Sequence, residues 1–134
     1  MDRSEFIRLT GSGVALTLLG CLSGCSDNSA FPTAPTNVDF SLDVSSGSLA
    51  SNGGYLVKNG VLIARTLSGA FIAVSAACTH QGTTLEYQAA SHRFFCFSHG
   101  STFNENGVVT NGPATQSLTV YKTSLTGSSL RIFS

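Results

Sequence analysis

The sequence predicts an all-β domain behind a short amino-terminal export segment. Apolar and polar residues alternate with a period of two from residue 38 onward, which is the pattern of half-buried strands. Glycine, serine and threonine recur between these stretches, and no helical periodicity follows residue 25. With 134 residues, 42% of them hydrophobic and 10% charged, the chain suffices for one compact core rather than for two domains of ordinary size.

The strands can be assigned in chain order. In residues 38–44 the apolar side chains are expected on one face and the polar ones on the other. Asn59-Gly60, between the apolar stretches 55–57 and 61–67, is a strong signal for a two-residue hairpin. Further strands are expected beside glycine-containing turns, at residues 71–74, 118–124 and 130–133.

Residues 77–112 form an insertion between these strands. We expect a small hairpin inside it, with residues 85–88 leading out, 89–92 turning and 93–95 returning. The insertion contains most of the residues whose chemistry points to a function. The domain therefore extends over residues 38–134, with a small subdomain at about 77–112.

The amino terminus has the features of a bacterial signal peptide over residues 1–25. Two arginines precede a short apolar core, and Leu22-Ser-Gly-Cys25 is similar to a lipobox, in which the cysteine thiol takes a diacylglycerol. The stretch ending at Cys21 is a second, poorer match. The alternative is an uncleaved anchor, but the apolar core is shorter than the roughly 20 residues that cross a bilayer. We expect lipidation at Cys25.

Residues 26–37 are polar and interrupted by prolines, so they are predicted to be a flexible tether. Residues 3–8 resemble a twin-arginine export signal in which serine replaces the second arginine. Because the arginine pair is what the exporter reads, the export route stays open. We expect an exported protein, attached by lipid to the cell envelope on the periplasmic side.

The charge pattern excludes polyanion partners. Seven basic and seven acidic residues give a formal net charge of zero, and they are scattered singly. No basic patch for nucleic acid is present, and no phosphate-binding loop, dinucleotide fingerprint or serine nucleophile motif appears. Glu86 and Glu105 have no carboxylate partner at a spacing suited to acid–base chemistry.

Two short loops concentrate the metal-binding residue types. The first contains Cys78-x-His80 and the second Cys96-x-x-His99. Thiolate and imidazole are both good ligands for transition metals. Two cofactors fit these donors: a single tetrahedral zinc ion, or a two-iron, two-sulfide cluster with cysteines on one iron and histidines on the other.

The residues around these candidate ligands favour the cluster. Cys78-Thr-His-Gln-Gly82 and Cys96-Phe-Ser-His-Gly-Ser101 resemble the two cluster loops of the Rieske iron–sulfur proteins, and Asn111-Gly-Pro-Ala114 looks like the glycine-proline loop of that family. The resemblance covers about residues 38–134. It implies a Rieske-like antiparallel β-sandwich or barrel, with the cluster-binding subdomain inserted between strands.

The resemblance also implies a role for each matched residue. Cys78 and Cys96 would bind one iron of a [2Fe–2S] cluster, and His80 and His99 the other, with neutral imidazoles raising the potential into a range of about −150 to +300 mV. The residues implied to surround the cluster are Gly82, Gly100, Ser101, Phe103, Gly112 and Pro113. The Ser101 hydroxyl would bond a sulfide.

Two departures from the family pattern lower the expected potential. Members in cytochrome bc-type complexes have one more cysteine in each loop, joined by a disulfide, and here those positions hold Thr83 and Ser98. The family's tyrosine two residues after the serine is here Phe103. We expect a potential below that of the disulfide-containing, quinol-oxidising members.

The resemblance implies a one-electron relay between a quinol-linked or other donor and a cytochrome-type acceptor, rather than an enzyme acting alone. The alternatives are the iron–sulfur subunit of a quinol–cytochrome c reductase, the small subunit of a molybdenum oxidoreductase, and a zinc-stabilised binding module. His92 is expected to be an exposed turn residue. Phe94, Phe95 and Phe97, which flank Cys96, are expected to pack in the core.

Overall fold

The structure is a computed structural model that describes residues 33–134. The predicted signal peptide, the lipidation site at Cys25 with its alternative Cys21, and most of the predicted tether lie outside the described residues. No helix in residues 33–134 has the length and apolar character needed to span a membrane.

The larger of two sheets has six antiparallel strands in the order β1-β10-β9-β4-β3-β2. Both ends of the domain contribute to it, since the first strand pairs with the last. Its strands are β1 (Asp39–Asp43), β2 (Tyr55–Lys58), β3 (Val61–Arg65), β4 (Phe71–Ser75), β9 (Val120–Thr126) and β10 (Ser129–Phe133).

The smaller sheet has four antiparallel strands in sequence order. They are β5 (Glu86–Gln88), β6 (Arg93–Phe95), β7 (Thr102–Asn104) and β8 (Val109–Asn111). The whole sheet lies in the chain between β4 and β9, which are neighbours in the larger sheet. The fold is therefore all-β, with a subdomain inserted between two adjacent strands.

Most predicted elements are confirmed. In the first strand Val38 and Val44 are buried, Phe40 and Leu42 are partly buried, and the residues between them are exposed. The Asn59-Gly60 hairpin joins β2 to β3, with φ of 54° and 77° at its two turn residues. The hairpin inside the insertion is β5–β6, joined by a 3₁₀ turn at Ala89–Ser91.

Strands β7 and β8 were not predicted. Each has three residues, and β7 follows the second cysteine-histidine loop directly. Their presence turns the expected hairpin into a four-stranded sheet, so that the second loop is itself the tip of the β6–β7 hairpin.

The core consists of two clusters on the two faces of the larger sheet. One contains Leu49, Ile63, Tyr121, Leu130 and Ile132, which pack among β1, β3, β9 and β10. The other joins the larger sheet to the smaller one, and its buried members include Leu62, Val74, Leu85, Tyr87, Phe94 and Phe103. The second cluster also contains Cys78 and Cys96. The two candidate ligand thiols therefore lie where the two sheets pack against each other.

The segment before β1 is held to the domain by a hydrogen bond from β9. Tyr121 donates a hydrogen bond of 2.7 Å from its hydroxyl to the carbonyl of Pro35. The contact ties the end of the predicted tether to β9.

Candidate metal centre

The first cysteine-histidine loop, residues 78–83 and here called loop 1, is closed by its own backbone. Ala77 and Thr84 form a bridge at its base. The amide of Cys78 donates to the Thr83 carbonyl at 2.8 Å, and the amide of Gly82 donates to the Cys78 carbonyl at 2.7 Å. Gly82 adopts φ of 81°, which a side chain rarely allows. The chain can therefore turn back within six residues.

The second loop, residues 96–101 and here called loop 2, repeats this backbone pattern. Phe95 and Thr102 pair at its base as the last and first residues of β6 and β7. The Cys96 amide donates to the Ser101 carbonyl, and the Gly100 amide donates to the Cys96 carbonyl, both at 2.9 Å. Gly100 has φ of 84°. Each loop thus starts with a cysteine and turns at a glycine four residues later.

The two thiols lie at the bottom of the loops. Cys78 is 0% exposed and Cys96 is 2% exposed, and both are free. Burial raises the pKa of the Cys78 thiol, the neighbouring Cys96 raises it further, and the backbone amides of His80 and Gln81 lower it. Those amides offer hydrogen bonds to a thiolate, which is the form that binds metal.

The two imidazoles are less buried than the thiols and lie close to each other. The ring centroids of His80 and His99 are 5.1 Å apart, with the ring planes at 90°. His80 is partly buried and His99 is exposed. Nδ1 of His80 is a buried nitrogen with no hydrogen-bond partner. Because an unpaired buried polar atom is costly, this nitrogen is suited to a ligand that satisfies it.

The four donors are arranged as two pairs, a buried thiol pair and an imidazole pair nearer the surface. Within residues 33–134, no three or more His, Cys, Asp or Glu side chains are placed to hold a single metal ion together. A diiron cluster needs two ligands for each iron, which is the division that the thiol and imidazole pairs provide. The residues present therefore fit a [2Fe–2S] cluster.

Comparison with known proteins identifies the family. The model of the Rieske [2Fe-2S] domain matches residues 35–122. The chain belongs to the Rieske family. Its cofactor is accordingly a Rieske-type [2Fe–2S] cluster.

Curated relatives of this Rieske chain include iron–sulfur subunits of the cytochrome b6-f complex. The one from Chlorobaculum thiosulfatiphilum is 38% identical over 64 residues, which is 48% of this chain and 35% of the relative. The chloroplastic one from Pisum sativum is 44% identical over 54 residues, which is 40% of this chain and 23% of the relative. The matched region therefore spans about a third or less of these relatives.

Solved structures agree with the Rieske fold. The plasma membrane Rieske protein of the cyanobacterium Synechocystis is 28% identical, with a TM-score of 0.53 over 60% of this chain and 85% of that one. The ferredoxin of carbazole 1,9a-dioxygenase from Nocardioides aromaticivorans has a TM-score of 0.55 over 75% of this chain and 98% of its own. At 18% identity it supports the fold alone.

A third segment of the Rieske domain, residues 111–117 and here called loop 3, lies against both ligand loops. The Thr79 hydroxyl donates to the Gln116 carbonyl at 2.7 Å. The Asn111 side chain donates to the Gly100 carbonyl at 3.2 Å. Gly112 and Pro113 are exposed and joined by a cis peptide bond. Loop 3 thus connects the two ligand loops from a third side.

Ser101 is fully buried at the end of loop 2. Its hydroxyl oxygen accepts a hydrogen bond of 3.0 Å from the Ala114 amide. The hydroxyl hydrogen stays available as a donor, because this contact uses only the oxygen. Phe103, two residues later, is 0% exposed in the core and pairs with Phe94 across β6 and β7.

The expectation that Phe97 packs in the core is wrong. Its side chain is 67% exposed, while Phe94 is 0% exposed and Phe95 is partly buried. Phe97 lies at the turn of loop 2, where the chain has left the strand and its side chains no longer alternate between two faces. Burial was expected because phenylalanine is apolar, but the turn directs the Phe97 side chain toward solvent.

Two contacts near the site had no signal in the sequence. Thr83 Oγ1 and Ser98 Oγ lie 2.8 Å apart and join loop 1 to loop 2. Glu105 accepts a hydrogen bond of 2.5 Å from the Tyr87 hydroxyl and lies 3.4 Å from Nδ1 of His92. His92 is an exposed turn residue, as expected, with φ of 53°. Neither contact is visible from residue spacing, because each joins separate turns or strands.

Proposed function

We propose that this Rieske domain is a one-electron relay whose [2Fe–2S] cluster is held by Cys78 and Cys96 on one iron and by His80 and His99 on the other. The cluster, when bound, supplies reversible one-electron chemistry. The observation that supports the assignment is the division of donors into a buried thiol pair and an imidazole pair closer to the surface. No other described residues bring two thiols together.

The surrounding residues have distinct roles in this proposal. Gly82 and Gly100 allow loops 1 and 2 to turn tightly, and the amides of His80 and Gln81 stabilise the Cys78 thiolate. Ser101 offers its hydroxyl hydrogen toward the cluster. The buried Phe103, with Phe94, excludes water from the inner side. Gly112 and Pro113 cover the site as part of loop 3.

The proposed ligands differ in exposure, and this difference indicates the side of the domain on which electrons are exchanged. His99 is exposed, whereas both cysteines are buried. Electrons would therefore enter and leave on the imidazole side, where a redox partner can approach. A quinol donor would donate its hydrogen bond to the solvent-facing nitrogen of His80 or His99.

The proposed partners are a quinol-linked donor and a cytochrome-type acceptor in the bacterial cell envelope, with a lipid on Cys25 as the membrane attachment. The names of the curated relatives, iron–sulfur subunits of the cytochrome b6-f complex, support a partner of this class. They also support the second candidate, a subunit of a quinol-oxidising complex. Co-purification with a cytochrome b would favour that second candidate.

Metal analysis and electron paramagnetic resonance of the purified, reduced protein test the cluster. We expect two irons and two sulfides per chain and a rhombic signal with a mean g value below that of the free electron. A colourless protein with one zinc ion would overturn the proposal. His80→Ala is expected to abolish the signal, and His92→Ala, at an exposed turn histidine away from the four ligands, to leave it unchanged.

A further inference from the structure

Loops 1 and 2 are joined directly by a hydrogen bond between two residues that are not proposed ligands. Thr83 Oγ1 and Ser98 Oγ are 2.8 Å apart. Thr83 follows the glycine turn of loop 1, and Ser98 directly precedes His99 in loop 2. In the described part of the chain, this is the one side-chain hydrogen bond that links the two loops to each other.

The backbone of each loop does not determine the separation between the loops. The hydrogen bonds that close loop 1 lie within residues 77–84, and those that close loop 2 lie within residues 95–102. Each loop is therefore shaped by itself. The distance between the ligand pairs depends on what joins one loop to the other.

Loop 3 provides two of the links. It accepts the Thr79 hydroxyl from loop 1, and it binds loop 2 through Asn111 and through the Ala114 amide on Ser101. The Thr83–Ser98 hydrogen bond provides the third link. The three loops are thus tied in a closed ring of hydrogen bonds, and without this bond the side-chain hydrogen bonds that connect loops 1 and 2 run only through loop 3.

Contacts between the ligands themselves cannot replace this link. The two thiols neighbour each other, and the two imidazoles lie 5.1 Å apart. In the proposed cluster these atoms bind iron and no longer contact each other freely. The two hydroxyls bind no metal in that arrangement, so their hydrogen bond persists alongside the iron–ligand bonds and does not depend on them.

We propose that Thr83 and Ser98 are positioning residues, whose hydrogen bond holds loops 1 and 2 at the separation that the cluster requires. The inference rests on the proposed function. A hydrogen bond can lengthen without breaking a covalent bond, so the link restrains the loops and still lets them adjust when the cluster is inserted.

The test is the rate at which the loaded, full-length protein loses its cluster to an iron chelator, followed by visible absorbance. Thr83→Val keeps the shape of threonine and removes the hydroxyl. We expect it to release the cluster about two- to tenfold faster, the factor that corresponds to one ordinary hydrogen bond. Ser98→Ala is expected to act equally, and the double variant to be no worse than either single one.

Two variants make the comparison specific. Thr84→Val makes the same change one residue later, at an exposed threonine with no side-chain hydrogen bond in the described structure, and is expected to behave as wild type. Thr83→Ser retains the hydroxyl and is expected to restore the slow release. The electron paramagnetic resonance lines should broaden in Thr83→Val and Ser98→Ala but not in Thr84→Val or Thr83→Ser. Without the hydrogen bond, the separation between the ligands of the two loops varies more from molecule to molecule.

The outcomes separate this inference from the proposed function. If the wild-type protein holds no iron and sulfide, the proposed function fails. If the wild type holds the cluster and Thr83→Val releases it at the wild-type rate, or no faster than Thr84→Val does, the positioning role is refuted. Additive effects of Thr83→Val and Ser98→Ala would also refute it, since the two residues would then act separately.

Discussion

The imidazole rings of His80 and His99 meet edge to face, with their centroids 5.1 Å apart. One ring belongs to loop 1, which connects β4 to β5 and is closed by the Ala77–Thr84 bridge, and the other to loop 2, the tip of the β6–β7 hairpin. The buried, unpartnered Nδ1 of His80 lies on the first of these rings. The contact therefore brings together two imidazoles that are both less buried than the thiol pair.

The first prediction concerns the charge of the ligand set. His80→Cys replaces a neutral imidazole by a thiolate and adds one negative charge, so the reduced cluster becomes harder to form. We expect the potential to fall toward the roughly −400 mV of all-cysteine plant-type ferredoxins, from a value inside the Rieske range. A spectroscopic redox titration measures it. His92→Ala provides the control, and an unchanged or higher potential in His80→Cys would contradict the ligand assignment.

The second prediction concerns the buried hydroxyl of Ser101. Ser101→Ala leaves the Ala114 amide without its acceptor, which costs about 1–3 kcal/mol for a buried group. The change also removes the hydroxyl donor proposed for the cluster, so the potential should fall. Urea unfolding measures the first effect and redox titration the second. Ser124→Ala, at an exposed position of β9, is the control. A potential equal to that of the wild type would show that Ser101 is only structural.

The third prediction compares two phenylalanines that flank Cys96. Phe94→Ala empties a fully buried position and should destabilise the protein by about 3–5 kcal/mol. Phe97→Ala removes a side chain that is 67% exposed and should cost less than about 0.5 kcal/mol. Both values come from urea unfolding. Equal losses in the two variants would mean that Phe97 is buried in solution.

The fourth prediction concerns the hydrogen bond from Tyr87 to Glu105. Burial and the neighbouring carboxylate raise the pKa of Tyr87. The folded state thus holds this proton more tightly than the unfolded state, and the resulting stability is complete below about pH 10 and is lost as the pH rises further. Tyr87→Phe should lose about 1.5 kcal/mol at pH 7.

The pH dependence of unfolding shows whether the stability lost in Tyr87→Phe comes from the raised pKa of Tyr87 or from altered packing. From pH 9 to 11 the free energy of unfolding should decline less steeply in Tyr87→Phe than in the wild type. Tyr55→Phe, which alters a neighbouring tyrosine with no side-chain hydrogen bond in the described structure, is the matched control. Parallel curves for wild type and Tyr87→Phe would rule out the linkage.

The sequence predicts an element correctly where apolar and polar residues alternate over several positions or where a specific turn sequence is present. The alternation in residues 38–44 and the Asn59-Gly60 turn each correspond to an observed element. Strands β7 and β8 have three residues each, which is too short for an alternation to be recognised. Their pairing depends on neighbours in the smaller sheet rather than on local propensity.

In the candidate site, too, some features can be recognised from the sequence and others cannot. The four proposed ligands and Ser101 stand out by residue type and spacing within two short segments. The contacts Thr83–Ser98 and Tyr87–Glu105 do not, because each partner is an ordinary polar residue and the pairing arises only when separate loops and strands meet in the folded domain. The exposure of Phe97 was mispredicted because a turn, not hydrophobicity, sets the direction of its side chain.

The sequence by itself determined the all-β class, the principal hairpins and the residue types that can bind iron, since these depend on local periodicity, turn chemistry and ligand chemistry. Only the tertiary structure decided that the thiols are buried while the imidazoles lie outward, that loop 3 joins both ligand loops, and that two hydroxyls link them. Those relationships depend on the packing of two sheets against each other, which places residues from distant parts of the chain side by side.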